Sequence, residues 1–179
     1  MIDRQQYTPG PASAEVQKHD GDQWGLVLVR ELRHSPEKVW QAITDPAQMR
    51  EWAPFEVEGN LGSVGGKVKL TWAGTTSSLE ATVMHAEAPE LLEYGDFRWE
   101  LEPAGRGTRL TLRTRIDRRY ISMGAAGWHI SLDVLDHLLA GNPIGRIAGG
   151  DAMKFAGWQR LNGEYAELFG VQAPSWPKG

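Results

Sequence analysis

Apolar and polar residues alternate through the middle of the chain in short segments separated by turn residues. In the segment FRWELE, Phe97, Trp99 and Leu101 alternate with charged residues, and the segment TRLTLRTRI at 108–116 repeats the pattern. A period of two places the apolar side chains on one face of a strand. Short turns between such segments favour antiparallel pairing with one face in water. The chain is therefore expected to build an antiparallel sheet whose apolar face needs a covering element.

The segments that carry this pattern predict seven strands, with helix signals near the first one. The predicted strands are 24–34, 55–58, 67–73, 78–86, 91–95, 97–102 and 108–117. Ser35 as an N-cap followed by Pro36 predicts a short helix after the first strand. Asp45 can cap a second small helix over 47–52. Two small helices therefore follow the first strand.

Residues 127–140 form the first strongly amphipathic segment after the strands. Trp128, Leu132, Leu135 and Leu139 share one helical face, and His129, Asp133, Asp136 and His137 share another. This spacing predicts a helix whose apolar face packs on the sheet and whose polar face lies in water.

The segments outside this core divide the chain into three parts. Residues 1–23 are polar and lack periodicity, which predicts a loosely held tail. Residues 24–140 form the predicted domain. Residues 141–179 form an extension with one helix, 151–169, packed on the same domain.

Composition excludes several classes of function. The chain has 179 residues and no cysteine, which excludes thiol nucleophiles, thiolate zinc sites and disulfides. A net charge of -4 argues against a general nucleic-acid binder. No stretch is long and apolar enough for stable membrane insertion, and the N-terminal residues lack an apolar signal segment, so we expect a cytoplasmic protein.

Several motifs in this order resemble a known family. They are Arg30 with HSPEKVWQAITDP at 34–46, Trp52, Gly65-Gly66-Lys67, APELLEY at 88–94, GTRLTL at 107–112, and Gly127-Trp128 with the leucines that follow. Over about 28–140 the chain resembles the SRPBCC superfamily (START-related, Bet v 1-like), in the branch related to the C-terminal domain of the activator of heat-shock-protein-90 ATPase. The segment FAGWQRLNGEYAELFGV resembles C-terminal extensions of bacterial members.

The resemblance implies an α+β helix-grip fold. In that fold a curved antiparallel sheet of about six or seven strands wraps a C-terminal helix and leaves a cavity between them. Here the gripped helix is 127–140. Residues expected at this space are Trp52, Trp72, Val83, His85, Trp99, Leu101, Leu110, Trp128, Leu132 and Leu135. The tryptophans could line a ligand cavity or fill it as core.

His85 and Tyr94 are the candidates for proton transfer. His85 is in phase with Ala81 and Val83, which predicts an imidazole on the apolar side of its strand. It could act as a general acid or base, or be a hydrogen-bonded core histidine, and a bulge would turn it outward.

Three other patterns have simpler explanations. His129, Asp133 and His137 have a spacing that could supply metal ligands, but any polar helix face shows it, so we predict no metal. The arginines of 109–119 are expected on a solvated surface, with a partner-docking patch as the alternative. Gly65-Gly66-Lys67 is a turn, because Val68 stands where a phosphate-binding loop needs Ser or Thr. We predict no cofactor.

Three functions follow from these observations. The first is a binding protein for an apolar or amphipathic small molecule. The second is an enzyme of the cyclase or dehydratase type acting in the same cavity. The third is a heat-shock-protein-90-linked co-chaperone or stress-response interaction protein with a protein partner. The eukaryotic co-chaperone has a separate N-terminal domain, whereas 23 polar residues precede the first predicted strand here.

Overall fold

The computed structural model describes residues 4–174, which form one antiparallel sheet and five helices. The strands are β1 (Glu15–Gln17), β2 (Gln23–Leu32), β3 (Phe55–Glu58), β4 (Lys67–Trp72), β5 (Ser78–Glu87), β6 (Leu91–Tyr94), β7 (Phe97–Ala104) and β8 (Gly107–Asp117). The helices are α1 (Pro36–Thr44), α2 (Pro46–Met49), α3 (Ile121–Leu139), α4 (Gly149–Met153) and α5 (Ala156–Phe169).

The sheet order is β1-β2-β8-β7-β6-β5-β4-β3, so the first long strand pairs with the last. Leu28 lies opposite Leu112 in the β2–β8 ladder, and Trp99 lies opposite the same leucine in the β7–β8 ladder. The apolar side chains of these strands share one face, which α3 covers. This curved open sheet around a long helix is the predicted helix-grip fold, with β1 as an eighth strand.

The capping residues after β2 form the hydrogen bonds that the sequence predicts. The Ser35 hydroxyl accepts a hydrogen bond from the Lys38 amide at 3.2 Å, and Pro36 occupies the first turn of α1. The Asp45 carboxylate accepts from the Ala47 amide at 3.0 Å and caps α2. Local capping chemistry therefore fixes both helix starts.

Helix α3 begins at Ile121, before the predicted start at 127. A Cβ added at Gly124 would lie 2.5 Å from the Cδ1 atom of Ile116 on β8. The glycine therefore permits a close approach of helix and sheet, and this packing offsets its weak helix propensity.

On the second face of α3, which was predicted to be solvated, Asp136 is exposed as expected, but the prediction is wrong for His129 and Asp133. His129 is only 4% exposed, and Asp133 is half-buried. Helix α5 lies against this second face and buries Trp158, Leu161 and Tyr165. Below, the front of α3 is the side facing the sheet and the back is the side facing α5.

The N-terminal segment also packs on the domain, so the prediction of a loosely held tail is wrong for residues 7–17. Tyr7 is buried, and β1 pairs with β2 through Val16 opposite Leu26. Arg160 of α5 donates hydrogen bonds to the carbonyl oxygens of Pro9 and Gly10. Residues 1–3 of the predicted tail lie outside the described residues.

The C-terminal extension contains two helices where one was predicted. The chain leaves helical geometry at Phe155, whose extended backbone separates α4 from α5. The Phe155 ring stacks on Tyr7 with centroids 5.9 Å apart, so a tertiary contact accompanies the break. Residues 175–179 lie outside the described range. Within residues 4–174 no helix has the length and apolar character needed to cross a membrane.

Candidate functional site

Aromatic rings fill most of the space between the sheet and the front of α3. Phe55 lies at the centre, with its ring centroid 5.2 Å from Phe97 and 5.9 Å from Trp128. Trp99 lies 5.7 Å from Trp128 and 5.9 Å from Trp52. Edge-to-face arrangements dominate, as expected for closely packed aromatic side chains. The interior is thus largely a packed aromatic cluster.

An open cavity lies at the end of this cluster. It has a volume of about 340 Å³ and lies between the N-terminal half of α3 and the ends of several strands. We call it the mouth cavity. Its walls are formed by Gln23, Pro54, Trp72, Leu79, Asp96, Phe97, Thr114, Arg115, Ile116, Asp117, Gly124, Gly127 and Trp128. Apolar side chains and two helix glycines therefore make the walls, and charged groups lie among them.

Two of the predicted ligand-contacting residues, Trp72 and Trp128, reach the mouth cavity. The others that face the interior are buried in the core away from its walls: Trp52, Val83, Trp99, Leu101, Leu110, Leu132 and Leu135. Phe97 and Ile116 were missed, although their strand parity places them on the same face as Trp99. Gly127 was also missed, because an absent side chain leaves no signal in an apolar pattern.

His85 lies on the surface, so the prediction of an inward imidazole is wrong. The register between β5 and β6 shifts between Val83 and His85, where a bulge interrupts the alternation. Val83 stays buried and faces Tyr94, whereas His85 is exposed. His85 and Tyr94 therefore do not share a cavity, and the acid-base pair expected of a cyclase or dehydratase is not assembled.

Two polar groups lie together inside the aromatic cluster. The Tyr94 hydroxyl and the Trp99 indole nitrogen are buried and have no hydrogen-bond partner among the described residues beyond each other. Burial raises the pKa of Tyr94, and a side-chain hydrogen bond from Trp99 opposes that rise. Trp52 differs, because its indole donates to the Ala42 carbonyl at 2.9 Å.

A polar cluster closes the back of α3; we call Tyr7, His129, Asp133 and Tyr165 the back cluster. The Tyr7 hydroxyl donates to the Asp133 carboxylate. The His129 Nδ1 atom lies 2.7 Å from the Tyr165 hydroxyl, and its Nε2 atom lies 3.7 Å from Asp133. The Ser13 amide donates to the Tyr165 hydroxyl at 3.1 Å. The cluster therefore ties the N-terminal segment to α3 and α5.

Burial shifts the titration of these groups. Desolvation, followed by the nearby charges of Arg30 and Arg160, lowers the pKa of His129 to about 4, so the imidazole is neutral at pH 7. Desolvation raises the pKa of Asp133, although the Tyr7 hydrogen bond opposes this. The described residues contain no group of three side chains that could hold a metal ion. Here His129 hydrogen-bonds with Tyr165, and Asp133 accepts from Tyr7.

The arginines of β8 lie on the outer face of the sheet and are paired with acids of neighbouring strands and of the β6–β7 turn. Arg109 donates to Glu31 at 2.7 Å, and Arg115 lies 2.9 Å from Asp96. Arg113 pairs with Glu100. The local excess of positive charge in the sequence is thus largely neutralised in the fold.

Comparisons with known proteins agree with this architecture. The profile of the family described as Activator of Hsp90 ATPase homolog 1-like protein matches residues 33–140. A comparison with curated proteins finds no significant match.

Solved structures with the same fold cover most of the chain. CalU16 from Micromonospora echinospora is 20% identical, with a TM-score of 0.65, over 87% of this chain and 96% of that chain. EF2215 from Enterococcus faecalis, a conserved protein of unknown function, is 15% identical, with a TM-score of 0.65, over 89% and 92%. DynU16, from the dynemicin biosynthetic locus, is 19% identical, with a TM-score of 0.59, over 70% and 51%. At these identities the likeness establishes the shared fold alone.

Proposed function

The chain belongs to the Activator of Hsp90 ATPase homolog 1-like family, and from that premise we propose that it binds an apolar or amphipathic small molecule in the mouth cavity. The observation that carries the proposal is a cavity of about 340 Å³ with aromatic and aliphatic walls, open at one side. Sites for small molecules are typically concave and mostly apolar, with a few polar groups for orientation. Burial of the ligand's apolar surface would supply most of the affinity.

Helix α3 contributes the room for such a ligand. A Cβ added at Gly127 would meet no atom within 4 Å, so the absence of a side chain there leaves open space in the cavity wall. The Phe97 and Trp128 rings lie behind this space, with centroids 5.7 Å apart. A flat apolar molecule would contact these rings and the Gly127 backbone together.

Binding is favoured over catalysis by the state of the polar groups at the cavity. Asp96 is paired with Arg115, and Asp117 is paired with Arg119 at 2.7 Å. Hydrogen bonds from Arg119 lower the pKa of Asp117 to about 2, so this carboxylate is ionised at pH 7 and unsuited to act as a general acid. His85, the other candidate for proton transfer, lies on the exposed side of β5.

The co-chaperone alternative receives less support from the surface. It relied on the arginine-rich strand β8, whose arginines already pair with Glu31, Glu100 and Asp96. A partner docking there would have to displace those acids. The small-molecule proposal requires no such exchange.

Gly127→Leu tests the proposal, with Gly163→Leu as the matched control. The leucine at 127 would fill the mouth cavity, whereas Gly163 lies on the exposed side of α5 with nothing within 4 Å of an added Cβ. Both changes replace a helical glycine with a better helix former, so both variants should stay folded. Binding of the fluorescent probe N-phenyl-1-naphthylamine should weaken at least about tenfold in Gly127→Leu and remain unchanged in Gly163→Leu.

Two results would contradict this proposal. The wild-type protein could leave the probe's fluorescence unchanged throughout a titration. Alternatively, Gly127→Leu could bind the probe as tightly as wild type, in which case the probe occupies another surface.

A further inference from the structure

A charged cleft lies where the C-terminal extension meets the turn between β4 and β5. It has a volume of about 570 Å³. Arg50, which follows α2, forms one wall, and Ala73 and Gly74 of the turn form another. The extension supplies the third wall, with Arg146 and Lys154. We call this the basic cleft, and it shares no wall residue with the mouth cavity.

Contacts between distant segments hold the walls of the basic cleft together. Gly149, the first residue of α4, lies so close to the turn that an added Cβ would be 2.7 Å from the Ala73 carbonyl oxygen. The Ala73 amide in turn donates to the Pro54 carbonyl at 2.9 Å. The Arg146 guanidinium lies 3.6 Å from the Glu56 carboxylate on β3. The fold itself therefore forms the cleft.

The basic cleft contains cations without partners. The arginines of β8 are paired with acids, whereas Arg50 and Lys154 have no ion-pair partner among residues 4–174. Asp151 is the acid among the wall residues, and it too is unpaired within that range. With Arg146, the walls carry three positive charges and one negative charge. A net charge of two is therefore available to an anion.

Two charged side chains next to Arg146 leave this balance unchanged. Glu56, which is outside the walls, offsets part of the Arg146 charge. Arg4 lies on the other side and donates to the Arg146 carbonyl oxygen at 3.1 Å, which adds a positive charge beside the cleft. The surroundings therefore remain attractive to an anion.

We propose that the basic cleft binds the phosphate dianion of a small hydrophilic phosphomonoester, such as a sugar phosphate. The inference goes beyond the proposed function, because both the site and the class of ligand are different. Guanidinium groups match phosphate oxygens with paired hydrogen bonds, and a lysine adds a point charge. Sites for small molecules have volumes of about 300–1,000 Å³, so the cleft has room for an organic part beside the phosphate.

The uncharged wall residues favour a hydrophilic organic part. They are Ala73, Gly74, Ala148 and Gly150, so the walls contain neither an aromatic ring nor a large apolar side chain. A nucleotide base would have no ring on which to stack. A lipid headgroup would find no apolar side chain here that enters the bilayer. The Asp151 carboxylate can accept hydrogen bonds from the hydroxyl groups of a sugar.

Isothermal titration calorimetry at low salt tests the inference with glucose 6-phosphate. The measurement is made at about pH 8, where a phosphomonoester is a dianion. Wild-type protein should bind this probe with a Kd of about 1 mM or lower. Glucose 6-sulfate, a monoanion of similar shape, and inorganic phosphate, which lacks the sugar, should each bind at least about fivefold more weakly. Glucose itself should give no binding heat.

Variants locate the site. Arg50→Gln and Lys154→Gln should each weaken glucose 6-phosphate binding at least about fivefold, and both residues are exposed, so the variants should stay folded. Arg106→Gln is the matched control, because it removes an exposed, unpaired arginine from the β7–β8 turn, and it should leave binding within about twofold. Gly150→Leu should also weaken binding, since an added Cβ there points into open space and the charge is unchanged.

Several results would overturn the inference. One is the lack of saturable binding of glucose 6-phosphate up to about 10 mM. Equal binding of glucose 6-sulfate or inorganic phosphate would show that the cleft selects neither the dianion nor the sugar. An equal loss in Arg106→Gln and Arg50→Gln would show a general attraction of anions. Sedimentation of wild type, but not of Arg50→Gln, with vesicles of phosphatidylcholine and phosphatidic acid would identify a lipid ligand instead. Gly127→Leu should bind glucose 6-phosphate like wild type, so this inference and the proposed function fail separately.

Discussion

The two sides of α3 are buried by different chemistry. On the front, Phe55, Phe97 and Trp128 pack through ring edges and faces, and the buried Tyr94 hydroxyl beside them has no partner among the described residues beyond the Trp99 indole. On the back, Tyr7 and Tyr165 direct their hydroxyls at Asp133 and His129. Dispersion contacts tolerate rearrangement, whereas hydrogen bonds between buried groups fix both distance and direction. The packing on the front can therefore rearrange, while the back holds Tyr7 and α5 in place.

Phe55→Ala should disrupt the aromatic packing on the front of α3 and cause the largest loss of stability. Phe55 is fully buried and contacts four other rings, so its removal leaves a void in the aromatic cluster. We expect the free energy of unfolding, measured by urea denaturation, to fall by about 3–5 kcal/mol. Val64→Ala, at a residue that is 62% exposed, should change it by less than about 0.5 kcal/mol. A loss below about 1 kcal/mol for Phe55→Ala would mean that neighbouring side chains move in and fill the space left by the ring.

Tyr7→Phe should weaken the packing on the back of α3 and cause a smaller loss of stability. The change removes the donor to the Asp133 carboxylate and keeps the ring that stacks on Phe155. We expect a loss of about 2 kcal/mol and faster proteolysis within residues 4–17. A double-mutant cycle with Asp133→Asn should show a coupling energy of at least about 0.5 kcal/mol. Strict additivity of the two changes would mean that the hydrogen bond does not hold the segment.

The pH dependence of stability tests the contribution of His129 to the back of α3, and we expect the smallest effect here. Its pKa is lowered from 6.5 to about 4 in the folded state, so the unfolded chain takes up a proton first as the pH falls. The contribution of His129 to stability is therefore present above about pH 6.5 and is lost as the pH decreases toward 4. Asp133, whose pKa is raised, acts in the opposite direction at acidic pH.

The measurement is urea denaturation at pH 7 and pH 5. Wild-type protein should lose roughly 1–2 kcal/mol more than His129→Gln over this interval. The exposed His85→Gln variant is the control and should follow wild type. If His129→Gln shows the same loss as wild type, the imidazole does not supply the pH dependence.

The sequence predicted the sheet well because the alternation of apolar and polar residues within a strand shows which of its faces is buried. Phe97, Trp99 and Leu101 report one face directly, and Ser35 with Pro36 marks the start of α1 through local hydrogen bonding. The eighth strand escaped prediction because Glu15–Gln17 is too short to show a period. The family resemblance, carried by the same motifs, is confirmed by the profile over residues 33–140.

The candidate site was harder to predict, since it depends on contacts between distant segments. His129 looks solvated in its own helix, and only α5, through Tyr165, makes it a buried residue. His85 follows the alternation of its strand until the bulge after Val83, which the sequence does not mark. The mouth cavity has open space at Gly127, where a side chain is absent, and the spacing of apolar residues in a sequence gives no sign of such space.

The hydrogen bond between Ser13 and Tyr165 joins residues 152 positions apart. This separation determines the order in which parts of the fold can form during synthesis. The sheet and α3 can associate while α5 is still inside the ribosome, but the back of α3 then remains uncovered. The N-terminal segment, made first, gains its binding surface last. We therefore expect the back of α3 to be exposed to chaperones and proteases until α5 has left the ribosome, and Ser13 and α5 to become protected together.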